Sequence, residues 1–143
     1  MSPTLYATAE DVETAFYDAF NKGDIDGLMA VWSETDEVVC VHPGGSRLVG
    51  LHAIRESWKQ LFESGLRLRL RIHHPVIQSS PMLTVRSVLQ HVVVEGEDSM
   101  PPPIVATNVY ARGPFGWRLV LHHASPSPDA EGVFNEEAPR VVH

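Results

Sequence analysis

The stretch VATNVYARGPFGWRLVLHHASP, Val105 to Pro126, decides the fold. Residues 108–112 (NVYAR) and 117–125 (WRLVLHHAS) read as two strands, because apolar and aromatic residues recur at alternate positions and successive strand side chains point to opposite faces. Between them lies Gly113-Pro114-Phe115-Gly116. Its glycines permit positive φ and its proline pre-sets a turn, so the chain reverses into a hairpin. Strict alternation along the second strand places Leu119, Leu121, His123 and Ser125 on the face of Trp117, and Arg118, Val120, His122 and Ala124 on the other. One of the adjacent histidines must then face inward, and strict alternation selects His123.

Outward from this hairpin the chain divides into helices first and strands afterwards. Thr8 caps a helix with the stripe Val12, Ala15, Phe16, Ala19 and Phe20, which Gly23 ends. Asp24 opens a second helix with Ile25, Leu28, Met29 and Trp32 on one face. Residues 37–42 read as a strand broken by Pro43-Gly44-Gly45, and a third helix runs from Leu51 to Ser64 with Leu51, Ile54, Trp58, Leu61 and Phe62 inward. Further strands fall near 66–78, 82–95, 104–112 and 117–125, with Met100-Pro101-Pro102-Pro103 as a loop. This order predicts an α+β domain over residues 1–126, followed by a C-terminal tail, 127–143, whose Val133, Phe134, Val141 and Val142 offer apolar anchors.

At 143 residues, 43% hydrophobic and 20% charged, the chain fits one domain. Its formal charge of −7 argues against a nucleic-acid partner. Arg67, Arg69 and Arg71 alternate with leucines and read as the wetted side of a strand. A single cysteine, Cys40, forms no internal disulfide, which with the acidic first twenty residues predicts a cytoplasmic protein. No segment approaches the roughly 20 apolar residues that span a bilayer, so no membrane association is expected.

Helix, Gly-Asp, helix, a strand ending in His42-Pro43-Gly44-Gly45, Gly50-x-x-Ala53-Ile54 opening a third helix, then antiparallel strands: this order resembles the SnoaL-like, or nuclear transport factor 2-like, superfamily. Together with Gly116-Trp117-Arg118 and His122 to Pro126, it looks like an uncharacterised branch related to the association domain of calcium/calmodulin-dependent kinase II. The resemblance implies a cystatin-like cone, with the N-terminal helices packed in the concavity of a curved antiparallel sheet. Against the superfamily's ketosteroid isomerase, the Asp-Pro motif of the catalytic base matches His42-Pro43, and the counterpart of the oxyanion-binding aspartic acid is Asn108. The isomerase's oxyanion tyrosine falls on Phe16, with Tyr17 about 100° around the helix. Trp58 matches a pocket tyrosine.

Strand parity puts Cys40 beside His42 on one face, the pocket face by the resemblance. The expected site is therefore His42 as general base, Asn108 as donor to a developing oxyanion and His123 as a second acid or base. Around them Trp32, Cys40, Trp58, Tyr110, Trp117, Leu121 and Ser125 would line a pocket for a small apolar molecule. The competing interpretation is that the histidines only satisfy buried polarity in a filled cone serving assembly. His42, His123 and Asp36 lack short metal-ligand spacing, so neither metal nor cofactor is expected. The outer sheet face, with Val120 and Ala124, would pair two copies as a homodimer.

Overall fold

The computed structural model describes residues 4–96 and 101–127. The tail beyond residue 127, and its expected apolar anchors, lie outside the described residues. Three helices come first: α1 (Ala9–Lys22), α2 (Ile25–Ala30) and, after two short strands β1 (Val39–Val41) and β2 (Arg47–Val49), α3 (Leu51–Glu63). Four long strands follow, β3 (Leu68–Ser79), β4 (Leu83–Val94), β5 (Ile104–Gly113) and β6 (Gly116–Pro126).

The helix ends follow the residues that cap them. Thr8 accepts a hydrogen bond from the Asp11 amide, and Asp24 accepts one from the Gly27 amide, satisfying donors that a helix start leaves open. Gly23 closes α1 at φ +67°, a left-handed conformation that costs glycine little. Buried Val12, Phe16, Ala19 and Phe20 form the expected stripe. Glu13 and Tyr17 are also buried beside it, although their polarity would place them outside. α2 stops at Ala30, shorter than its spacing suggests, because Trp32 leaves the helix to bridge Leu119 of β6.

The six strands form one sheet in the order β2-β1-β6-β5-β4-β3. The expected all-antiparallel sheet is corrected in one place: β1 runs parallel to β6, with Cys40 opposite His122. β2 was not apparent from the sequence, since a three-residue strand carries too little periodicity. Two irregularities curve the sheet. One lies between His73 and Val76 of β3; in the other, Val109 and Tyr110 are neighbours on β5 while their partners, Leu121 and Leu119, are separated by Val120. Such a bulge bends its strand and resets its parity.

The helices cover the concave face, where Val12, Phe16, Leu28, Trp32, Ile54, Trp58, Tyr110 and Leu119 share one core. Rings pack edge-on in its centre, Phe16 against Trp58 at 5.9 Å and against Trp32 at 6.4 Å between centroids. Arg67, Arg69 and Arg71 are exposed, as their alternation predicts. Among the described residues no helix is long and apolar enough to cross a membrane.

Candidate functional site

The bulge at Val120 decides which histidine enters the cone. Trp117 and Leu119 point inward; past Val120 the inward positions are His122 and Ala124, both 2% exposed. His123 lies exposed on the outer face, and Leu121 and Ser125 share that face. Three expected site residues, His123, Leu121 and Ser125, are thus displaced from the concavity. The physical reason is the extra residue, which shifts all later side chains by one position.

His122 takes the inward place beside Asn108, with Nδ1 and Oδ1 2.6 Å apart. The direction of this hydrogen bond follows from the far side of the amide. Asn108 Nδ2 reaches Glu13 Oε2 at 3.4 Å and the Tyr17 hydroxyl at 3.0 Å. Glu13, paired with Arg86 at 3.0 Å, is a carboxylate and only accepts, so the amide oxygen faces His122. His122 must donate from Nδ1, leaving Nε2 as the basic nitrogen. Burial lowers its pKa to about 3, with the charges of His42 and His123 acting in the same direction, so the imidazole is neutral near pH 7.

Behind this contact lies a polar network that the sequence did not disclose. Tyr110 donates to Glu13 at 2.7 Å, and Gln90 donates to the Tyr17 hydroxyl at 2.8 Å. Glu13, Tyr17, Arg86, Gln90 and Asn108 are all buried. Desolvation raises the pKa of both tyrosines, so both hydroxyls stay protonated, Tyr110 donating to Glu13 while Tyr17 accepts from Asn108 and Gln90. The Tyr17 hydroxyl therefore accepts from Asn108 at the position next to Phe16, while Phe16 packs its ring 5.2 Å from that of His122.

His42 sits half-buried at the end of β1, where the Gly45 amide bonds its carbonyl in the Pro43-Gly44 turn. Ser57 donates to the Ile54 carbonyl at 2.8 Å, so its oxygen accepts from His42 Nε2 at 2.9 Å, and Nδ1 is left as the unprotonated nitrogen. Burial lowers the His42 pKa. Its ring meets Trp58 edge-on at 4.5 Å, and Trp58 lies 6.1 Å from His122. The Trp58 indole nitrogen is buried with no oxygen or nitrogen acceptor, only the Cys40 sulfur beside it.

Cys40 is buried, with Sγ 4.0 Å from His42 Nε2. Burial pushes its thiol up to about 12, so it is no thiolate and behaves as a small apolar side chain. Trp117 and Tyr110 belong to the core, whereas Trp32 also walls a recess outside the cone. Among the described residues no three His, Cys, Asp or Glu side chains gather as a metal site. Two recesses stand out among them, and neither is lined by His42, Asn108 or His122.

A structure from Thiobacillus denitrificans, provisionally described as a calcium/calmodulin-dependent protein kinase type II association domain, is 38% identical. It covers 86% of this chain and 98% of its own, with a TM-score of 0.76. A protein of the NTF2-like family from Streptomyces avermitilis, provisionally described as a dehydratase, is 28% identical over 81% of this chain and 91% of its own, with a TM-score of 0.72. The F-box protein SKIP8 of Arabidopsis thaliana is 25% identical over 126 residues, 84% of this chain; the chain spans about half, 51%, of that relative's length. The helix-filled curved sheet is the NTF2-like, cystatin-like fold. Residues 9–130 match the family described as SnoaL-like domain, and to that family the chain belongs.

Proposed function

We propose that the chain binds a small, largely apolar molecule at the aromatic centre of the cone, where His42 and His122 exchange protons with it and Asn108 holds His122 in place. One observation carries this reading: His122, almost wholly buried, is oriented by the Glu13–Asn108 pair so that its basic Nε2 has no hydrogen bond among the described residues. That nitrogen is left to accept from a guest or from water, in a surround that is otherwise aromatic. The Trp58 indole N–H lies in the same group of rings; its one neighbouring acceptor is the weakly accepting Cys40 sulfur, which a hydroxyl or carbonyl of that guest would outcompete. Two neutral imidazoles with opposite tautomers can take a proton at one atom and return it at another, the requirement of an isomerisation, cyclisation or dehydration.

A filled cone serving assembly is the second reading, favoured by the aromatic packing of Phe16, Trp32 and Trp58. Under either reading we propose a homodimer through the outer sheet face. There Val39, Leu121, Val109 and Val85 lie side by side across four strands, an apolar row suited to burial between two copies.

The test combines native mass spectrometry of protein taken from its own cells with a screen of apolar alcohols and ketones against 15N-histidine-labelled protein. A retained or selected compound should shift the ring resonances of both His42 and His122. His42→Ala should weaken its binding while the melting temperature moves by only a few degrees. No compound in either experiment, together with a large stability loss on His42→Ala, supports the filled cone instead.

A further inference from the structure

Outside the cone, a recess of about 710 Å³ lies between the end of α2, the first turn of α3 and the β5–β6 hairpin. That size suits a small organic molecule. Its charge runs against that of the chain. Arg55, Arg112 and Arg118 line it with a single carboxylate, Glu34, although the whole chain carries −7.

The three arginines are not equivalent. Arg55 is paired with Asp26 at 2.6 Å. Arg118 is pinned by the carbonyls of Thr4, Phe115 and Trp117 and stacks on the Tyr6 ring at 4.9 Å. Those bonds fix its position without neutralising its charge. Arg112, at the end of β5, has no side-chain hydrogen bond among the described residues, and its guanidinium is the one available to a ligand.

One set of donors opens on the recess, and a second is buried within its wall. Helix α3 starts at Gly50, which offers no side-chain cap, and neither the Leu51 nor the His52 amide finds an acceptor among the described residues. Trp32 forms part of the wall, is 2% exposed, and its indole N–H is buried with no acceptor. An orphaned buried donor, an uncapped helix start and a free guanidinium all call for an acceptor carrying negative charge. Met29, Leu51 and Phe115 supply apolar wall, and Phe115 is 58% exposed at the hairpin tip.

We propose that this recess is a second binding site, separate from the cone, for a carboxylic acid with an apolar body. The carboxylate meets Arg112 and the start of α3, and the body lies against Met29, Leu51 and Phe115. One negative charge fits better than two, because Glu34 shares the wall and only one guanidinium is unengaged.

The test titrates the full chain at low ionic strength with octanoate, octyl phosphate and 1-octanol, by calorimetry and by following the Trp32 indole N–H resonance. Octanoate should bind most tightly of the three and move that resonance. Arg112→Gln should weaken octanoate at least about tenfold, the loss expected for a hydrogen bond to a charged group. Arg69→Gln, on the far face of the sheet, should leave it unchanged. Trp32→Phe should weaken it as well; if that variant does not fold, Arg112→Gln still decides. Equal binding of 1-octanol, tighter binding of octyl phosphate, an unaffected Arg112→Gln, or no octanoate binding at millimolar concentration each overturns the proposal.

Discussion

Glu13 shows how a single residue can be misread. On an amphipathic helix a glutamate is normally solvated, yet here it is 5% exposed and holds Arg86, Tyr110 and Asn108. Removing it strands a buried guanidinium, so Glu13→Ala should lose about 3–5 kcal/mol by urea unfolding, and joint replacement of Glu13 and Arg86 by methionine should lose far less. His122 carries a pH signature whose sign can be worked out. Its folded pKa, about 3, lies below the unfolded value of 6.5, so the unfolded chain binds more protons between those limits. Stability should fall as pH drops from about 6.5 toward 3, and His122→Gln should flatten that part of a melting-temperature profile. In sequence, Cys40, His42, Trp58, Asn108 and Tyr110 were legible because strand parity and helix spacing place them. Glu13, Tyr17, Arg86 and Gln90 were not, since each is polar and enters the interior only because the others bond it.

At the scale of elements, β6 carries the largest departure from regular alternation. The start of the strand reads correctly, with Trp117 and Leu119 inward, and everything after Val120 is displaced by one. Periodicity supplies no sign of a bulge that is flanked by apolar residues on both sides. Deleting Val120 should therefore keep His122 inward on a straighter strand, at a loss of about 1–3 kcal/mol, the usual range for a single change. Inserting one alanine after Val120 should be much worse, because it turns His122 and Ala124 outward. Thermal unfolding of the two variants separates these outcomes. Leu121 would then take the place of His122 opposite Asn108, and His123 that of Ala124 opposite Ala106, so Asn108 would lose its imidazole partner.

For the whole molecule, the order of helices and strands was readable because caps, glycines and two periodicities agreed. The mixed sheet was not, because a three-residue β1 carries no record of its distant neighbour. If the outer apolar row joins two copies, light scattering at micromolar concentration should report a dimer, and Val109→Glu should report a monomer that remains folded. The pairing of Cys40 with His122 spans 82 positions, from the first strand to the last. During synthesis β1 has only β2 beside it until β6 has left the ribosome, so the core around His42 and His122 closes only once β6 has emerged. A nascent chain stalled before Leu119 would hold helices, most of the sheet and an open β1 edge, and it would have neither a sealed core nor a second imidazole.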